Sequence, residues 1–308
     1  MTFSRRQFVH SAAVTAGFVG LGRYLSAQGR VGGPPSELQP YLNEVEGYGP
    51  LVPDPKQIMD LPKGFSYRVL SRAGDRMDDG HRVPAAPDGM AAFPGPNGRV
   101  IVIRNHELEP TSPHQGPFGF EYETLPLVDR QFIYDYGKGR PHQGGTTTFV
   151  YDPATGKLER QFLSLIGTQH NCAGGPTPWG SWITCEEAVD MPGETNEQRH
   201  GYNFEVPVSA TGPVMPVPLK AMGRFMHEAV AVDPRTSIVY QTEDRVDGLI
   251  YRFIPTTPRN LAAGGRLQVL AARDTKTLDT RNYAETGAPK VPVGRDIPVR
   301  WIDIDNVD

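Results

Sequence analysis

The sequence predicts an all-β protein, and more narrowly a β-propeller. Short β-branched and aromatic runs recur between turn residues, and the chain holds 34 glycines and 30 prolines. No stretch has the periodicity of a good amphipathic helix. The segments 149–156 and 230–237 both read strand, Asp-Pro-x-Thr turn, strand, and their separation matches two blades of about 40–45 residues each. A β-sandwich is the alternative architecture.

Residues 1–27 predict an export signal. Arg5 and Arg6 precede a weakly apolar run, 11–21, and Ala27 offers a small residue for cleavage. The order Arg-Arg-Gln-Phe resembles a twin-arginine signal, so we expect the twin-arginine export machinery as a partner and a periplasmic or secreted location. The apolar run is too short for a stable membrane span.

The rest of the chain divides at residue 64. Residues 28–63 are polar and rich in proline and predict an extended lead-in, and residues 64–308 predict the propeller domain. The runs that predict its strands include 65–70, 99–104, 146–151, 181–187 and 229–233, with another starting near 238. Two long inserts, 108–145 and 187–222, lack clean periodicity and are expected to be loops, where binding sites tend to lie.

Charge limits the partners that the chain can have. The 27 leading residues carry three arginines and no acid, so the remainder has a net charge near −7. An acidic chain argues against nucleic acid as the main partner, and an anionic substrate would need arginines or bound metals nearby. The familiar motifs of zinc proteases, nucleotide-binding loops and serine hydrolases are missing from the sequence. We expect a monomer.

The two cysteines leave three interpretations open. Cys172 lies in a Gly/Pro-rich loop, and Cys185 lies in the buried strand predicted at 181–187. In an exported protein a disulfide between them is plausible. A metal thiolate at Cys172 is equally favoured on the residues alone, and two free thiols are the third possibility.

Carboxylates lie at the ends of four of the predicted strands. If the strand ends share one axis, the acids form a cavity that is unstable without cations, because like charges in a low dielectric raise one another's pKa values. Calcium accepts several carboxylate oxygens, and iron accepts mixed oxygen, nitrogen and sulfur ligands. The nearby His106 and His227 are expected to be hydrogen-bonding partners, while His81 and His170 carry no signal. The acids are Glu107, Glu186, Glu187, Glu228, Glu243 and Asp244.

Several long blocks resemble the PhoX-type alkaline phosphatases, once called domain of unknown function 839. The most specific block runs from Asn171 to Glu187 and reads Asn-Cys-Ala-Gly-Gly-Pro-Thr-Pro-Trp-Gly-Ser-Trp-Ile-Thr-Cys-Glu-Glu. The resemblance extends from the signal to about residue 255. Other matching blocks are 47–51, 61–65, 88–90, 104–107, 223–229 and 248–253.

The resemblance implies an exported six-bladed propeller that hydrolyses small-molecule phosphate esters with iron and calcium. It implies an iron thiolate at Cys172 and metal carboxylates at Glu107, Glu187 and Glu228, with Glu186, Glu243 and Asp244 as weaker candidates. It assigns no protein side chain as the catalytic group, since the chemistry centres on the metals. Cys185 then becomes a packing residue.

The family normally continues well beyond residue 308, where this chain stops in a predicted strand and turn. About 245 residues with two long inserts do not accommodate six blades, so we expect a propeller truncated at its C-terminus. Such a fragment could be inactive, because unclosed blades leave strand edges unpaired. Two other functions stay open: a calcium-dependent propeller lactonase or esterase, and a non-catalytic exported binding propeller.

Overall fold

A computed structural model describes residues 47–110, 115–281, 291–292 and 294–308. The signal predicted at 1–27 and the lead-in up to residue 46 lie outside the described residues. The chain divides into two compact units, one ending at Arg68 and one beginning at Val69. In the described part of the chain, no helix is long and apolar enough to cross a membrane.

The described residues of the first unit, 47–68, form a short hairpin. Strand β1 (Leu51–Val52) pairs antiparallel with β2 (Leu61–Pro62). Asp54 organises the connection: its carboxylate accepts hydrogen bonds from the Ile58 amide at 3.0 Å and the Tyr67 hydroxyl at 2.5 Å. The expected lead-in therefore ends, over its described residues, in a hairpin tied together by one aspartate.

In the second unit, the described residues form three antiparallel sheets, each with its strands in chain order. Consecutive antiparallel strands in one sheet are the arrangement of a propeller blade. The first sheet contains β3 (Pro87–Pro94), β4 (Val100–His106), β5 (Gly144–Asp152) and β6 (Lys157–Thr168). The second contains β7 (Asn171–Pro176), β8 (Ser181–Glu186) and β9 (Asn203–Pro207). The third contains β10 (His227–Val232), β11 (Val239–Glu243), β12 (Ile250–Thr257), β13 (Asn260–Ala272) and β14 (Val299–Asp303).

The first strands of the three sheets lie side by side, with β7 between β3 and β10. Two glycines permit this close approach. A Cβ on Gly89 of β3 would lie 2.8 Å from the Cα of Ala173, and one on Gly175 of β7 would lie 2.1 Å from the carbonyl oxygen of Val230. Both distances are below van der Waals contact, so a side chain at either position would push neighbouring strands apart.

Hydrophobic side chains fill the space between successive sheets. Trp182 of β8 packs with Phe93 and Ile103 of the first sheet, and Ile183, its neighbour in the chain, packs with Val230 and Val239 of the third sheet. Adjacent residues of a strand point to opposite faces, so the alternation along β8 fills both interfaces of the central sheet. This packing holds the first strands together at the centre.

The predicted all-β class is confirmed, and the described residues contain 3₁₀ helices but no α-helix. The described sheets do not close into a ring. The strand predicted at 65–70 is wrong: these residues form no strand, and Phe65, Val69 and Leu70 are exposed. Their alternation buries no face, so the one-sided burial that stabilises a strand is missing.

Both Asp-Pro turns form as predicted, since Asp152 and Asp233 each accept hydrogen bonds from the amide two residues on and the threonine hydroxyl three residues on. They do not occupy equivalent places. The first turn joins β5 to β6, the last two strands of its sheet, whereas the second joins β10 to β11, the first two strands of its sheet. The echo that suggested repeated blades is therefore a shared turn chemistry rather than a repeat of the fold.

Candidate metal centre

The true repeat among the three sheets is a β-bulge at the start of each first strand. Pairing begins at Pro87 with His106, at Asn171 with Glu186 and at His227 with Glu243. In all three sheets the next pair comes three residues later on the first strand but two residues earlier on the second. The extra residue makes a bulge, which turns side chains out of the regular alternation.

This shared frame puts metal-ligating side chains at two equivalent positions in each sheet. One is the second residue of the first strand, inside the bulge, and the other directly follows the second strand. Because the first strands adjoin, these positions converge at the centre of the three sheets. The pairs are Asp88 and Glu107, Cys172 and Glu187, and Glu228 and Asp244.

Three of these side chains form the core of the group. The ligand atoms of Cys172, Glu187 and Glu228 all lie within 4.8 Å of one another. The Cys172 sulfur lies 3.4 Å from Oε2 of Glu228 and 3.3 Å from the His227 carbonyl oxygen. Cys172 is buried, while the two glutamates are half-buried. A thiol and two carboxylates at these separations can share one metal ion.

The remaining acids are coupled to this core electrostatically. Burial, followed by the charges of Glu228, Asp244 and Glu107, raises the pKa of Glu187 to about 7. Burial and then Asp88 raise the pKa of Glu107. These shifts identify one continuous group of mutually repelling acids.

The two members on β7 and β10 are shifted in the same direction. Burial raises the pKa of Glu228, and Asp244 and Asp88 raise it further. Burial also raises the pKa of the Cys172 thiol, as do Cys185 and Glu228. Bound cations remove this repulsion, so the donor chemistry fits metal ions: carboxylate oxygens suit hard ions such as calcium, and the thiolate suits a softer transition metal.

Asn105 fixes the bulge that carries Cys172. Its side-chain amide donates hydrogen bonds to the carbonyls of Cys172 and Ala173, at 3.0 and 2.7 Å. Its Oδ1 accepts a hydrogen bond from the Trp182 indole at 2.8 Å. Asn105 is fully buried, so this residue of the first sheet holds the Cys172 backbone of the second sheet in place.

Cys172 and Cys185 are both free, which rules out the disulfide alternative for this structure. Cys185 is fully buried in the hydrophobic cluster between the second and third sheets, as expected for a packing residue. His106 and His227 also behave as predicted. His106 bonds the Ala85 carbonyl and the Thr147 hydroxyl, and His227 bonds the Gly223 carbonyl.

Glu186 and Glu243 are not brought into the group. Each is the last residue of its second strand, so its side chain points away from that of the ligand position that follows. Glu186 accepts hydrogen bonds from His200 and from the amides of Gly201 and Tyr202. Glu243 accepts hydrogen bonds from the Leu249 amide and the Tyr251 hydroxyl.

Two residues of the site were not predicted. Asp88 lies in the first bulge, and only the register of β3 against β4 shows that it is equivalent to Cys172 and Glu228. His170 was assigned no signal, yet its Nε2 lies 2.7 Å from a Glu109 oxygen and its Nδ1 lies 3.6 Å from Glu107. The signal that could have found Asp88 is its place in the Asp-Gly-Met block.

Comparison with known protein families identifies a family that matches most of the chain. Residues 46–307 match the family described as alkaline phosphatase PhoX. A solved structure, Pseudomonas fluorescens PhoX in complex with vanadate, a transition state analogue, is 19% identical with a TM-score of 0.49. The match covers 70% of this chain and 53% of the other, so the chain spans about half the length of that protein. A search of curated proteins found no match.

Proposed function

The chain belongs to the PhoX family of alkaline phosphatases, and on that premise we propose that it hydrolyses phosphate monoesters and releases inorganic phosphate. The observation that carries the proposal is the ligand frame, in which three bulges bring five carboxylates and one thiol to the centre of three sheets. The substrates are small-molecule phosphate esters. Such substrates are anionic, so an acidic site can bind them only through cations.

Iron and calcium are the proposed ions. Cys172, Glu187 and Glu228 would hold iron, because a thiolate among carboxylates suits a transition metal. Glu107, with Asp88 and Asp244, would hold calcium through oxygen ligands alone. When bound, the ions neutralise the phosphate oxygens and activate a nucleophile for in-line displacement.

The protein's own side chains have separable roles in this site. The carboxylates would bind the cations next to the position of the substrate phosphate. Because the carboxylates repel one another, the cation-bound state is favoured over the metal-free state. The Cys172 thiol must lose its proton to become a ligand, and Asn105 holds its backbone in place while it does so. His170 lies beside Glu107 and Glu109 and would orient the Glu107 carboxylate.

The alternatives make less use of these residues. A calcium-dependent lactonase or esterase needs no thiol ligand, yet Cys172 lies against two of the carboxylates. A non-catalytic binding propeller gives no reason to gather acids whose pKa values are raised by one another.

The test is metal content together with hydrolysis of an aryl phosphate at alkaline pH. We expect iron and calcium in the purified protein, phosphate release, and loss of both iron and activity in Cys172→Ala. Active protein that contains neither metal would refute the proposal. Hydrolysis of a lactone or carboxylate ester without phosphate release, by protein that contains calcium alone and is unaffected by Cys172→Ser, would transfer the assignment to the lactonase class.

Export is part of the same proposal. Residues 1–27 would direct the folded chain through the twin-arginine machinery to the periplasm or the medium, where it would act as a monomer. Replacing Arg5 and Arg6 with lysines should retain the protein in the cytoplasm. Continued export of that variant would contradict this route.

A further inference from the structure

A second group of metal-ligating side chains is fully enclosed. Asp135 and His142 come from the insert between β4 and β5, and His200 comes from the loop between β8 and β9. Their side chains are at most 1% exposed, and their ligand atoms all lie within 4.8 Å of one another. The group therefore joins the two long inserts that the sequence placed outside the regular strands.

Glu186 orients one of the two imidazoles. His200 Nδ1 lies 2.7 Å from Oε1 of Glu186, so Nδ1 donates to that carboxylate and Nε2 faces Asp135 at 3.0 Å. A carboxylate on one ring nitrogen with the other nitrogen aimed at a common point is the usual support for a metal-ligating histidine. Glu186 is itself fixed by the Gly201 and Tyr202 amides.

His142 has no comparable support from the protein. Its side chain is 1% exposed, and neither ring nitrogen makes a well-formed hydrogen bond. Burial, followed by the charge of His200, lowers the pKa of His142, and the charges of Asp135 and Glu186 and a contact with the Thr195 backbone oppose this shift. Nε2 faces the group, 3.9 Å from the Asp135 carboxylate, and the ring stacks on His200 with centroids 4.8 Å apart and planes within 7°. A buried polar ring without partners costs free energy, and a ligand at Nε2 removes that cost.

Distance and charge both suit a divalent ion. Bonds of 2.0–2.1 Å in a tetrahedral zinc site separate the ligand atoms by about 3.3 Å. Oδ2 of Asp135 lies 3.0 Å from Nε2 of His200 and 3.9 Å from Nε2 of His142, on either side of this value. With neutral imidazoles, Asp135 and Glu186 give the enclosed group two negative charges, which one divalent cation balances.

We propose that Asp135, His142 and His200 form a structural site for a borderline first-row divalent cation such as zinc. Two imidazoles and one carboxylate are a donor set that zinc accepts. The ion ties the β4–β5 insert to the β8–β9 loop, and its role is to hold these two segments together. The site is independent of the phosphatase assignment, because it shares no ligand with the Cys172 group.

A purely organic arrangement is the competing state. Although burial lowers it, the charges of Glu186 and Asp135 raise the pKa of His200 to about 9. A protonated His200 could then bridge the two carboxylates without any metal. That state leaves the ring nitrogens of His142 without a well-formed hydrogen bond, and one of the two carboxylate charges stays unbalanced. Uptake of a metal ion by the site therefore distinguishes the two states.

Cobalt is the probe, because a four-coordinate Co²⁺ ion absorbs visible light far more strongly than an octahedral one. The full chain carrying Cys172→Ser is produced in cobalt-supplemented medium, which removes the thiolate signal of the first centre. We expect one cobalt with strong d–d absorption and no sulfur charge-transfer band. Adding His142→Gln should abolish that absorption.

His81→Gln in the same Cys172→Ser background is the matched control. His81 is also buried, and its Nδ1 bonds the Thr124 hydroxyl outside the group, so its loss should leave the cobalt spectrum unchanged. Absent d–d absorption in Cys172→Ser, or unchanged absorption after His142→Gln, would overturn the site. If His142→Gln does not fold, X-ray absorption of the cobalt-loaded Cys172→Ser protein decides: imidazole scattering supports the site and its absence overturns it.

Discussion

The group around Cys172 and the group formed by Asp135, His142 and His200 accommodate buried charge in opposite ways. The first lies at the adjoining edges of three sheets, its glutamates are half-buried, and its pKa values are raised by acids on neighbouring strands. The second lies between loops and is enclosed, and without a metal ion it surrounds Asp135 with donors: a protonated His200 and the amides of Gly137, Glu197 and Gln198. Burial opposes the charge on Asp135, but these donors hold its pKa well below the usual range.

On the proposed function, this difference separates a reactive site from a stabilising one. The half-buried carboxylates of the strand frame repel one another, which costs stability, but they would provide ligands for exchangeable ions that bind the substrate. The loop site satisfies its carboxylate with backbone amides and fixes the connections around it. Variants of the first should therefore change activity most, and variants of the second should change stability most.

The largest effect is expected for Asp135→Ala. It removes the acceptor for three backbone amides and for the buried His200, and should lower the free energy of unfolding by about 3–5 kcal/mol. Asp88→Asn is the counterpart in the open site. It removes a charge that raises the pKa values of Glu107 and Glu228, and should leave the metal-free protein as stable or more stable. Urea denaturation of both variants in the presence of a chelator measures the two changes in the free energy of unfolding. Equal losses of stability in Asp135→Ala and Asp88→Asn would contradict the prediction.

Cys172→Ser comes second and acts on activity. Loss of the thiolate should lower aryl phosphate hydrolysis on the order of 100-fold, the effect expected when charge stabilisation of a transition state is removed. The other cysteine is the control: Cys185→Ala empties space in the hydrophobic cluster and should cost about 1 kcal/mol of stability with activity retained. Steady-state kinetics and thermal melts distinguish these outcomes. A fully active Cys172→Ser would contradict the expectation that variants of the Cys172 group change activity most.

Gly89→Ala should follow, with an effect on both properties. Its Cβ would lie 2.8 Å from the Ala173 Cα and 2.9 Å from the Cys172 carbonyl oxygen, so the bulge that carries Cys172 must move. We expect a loss of about 1–3 kcal/mol, together with reduced iron content. Gly212→Ala is the matched change, since its Cβ meets nothing within 4 Å, and it should alter stability by less than about 0.5 kcal/mol. Melting and metal analysis of both variants test this, and identical behaviour would contradict it.

The smallest effect concerns pH in the chelated protein. Burial, Glu228, Asp244 and Glu107 raise the pKa of Glu187 from 4.5 to about 7. Between these values the folded state binds more protons than the unfolded state, so stability should fall as pH rises from about 4.5 to 7. Glu187→Gln should flatten this slope, and so should added calcium. Urea midpoints across the pH range measure the slope, and a rise in stability there would count against the coupling.

The sequence predicts regular strands well where one side is buried. The runs around Ile103, Thr148 and Ile183 form β4, β5 and β8, whereas the alternation from Phe65 to Leu70 forms no strand because it buries no face. Local pattern therefore predicts a strand only when tertiary contacts cover it.

The site is predictable in its residue types but not in its register. A one-residue step decides whether Glu186 or Glu187 faces the centre, and that step depends on a bulge that involves the partner strand. Asp88 was missed for the same reason. His200 lies far along the chain from Asp135 and His142, and all three lie in irregular loops, so only the folded chain brings them together.

The three matching bulges also determine where the protein tolerates changes in length. Each ligand pair depends on only a few residues at one end of its sheet, so loops at the opposite ends, such as the turn at Asp152, can gain or lose residues without displacing a ligand. Between Pro87 and Met90, and at the corresponding places in the other two sheets, a single deletion would restore regular pairing and rotate a ligand to the wrong face. Engineering of this chain can therefore vary the outer turns freely while keeping the length of three short segments fixed.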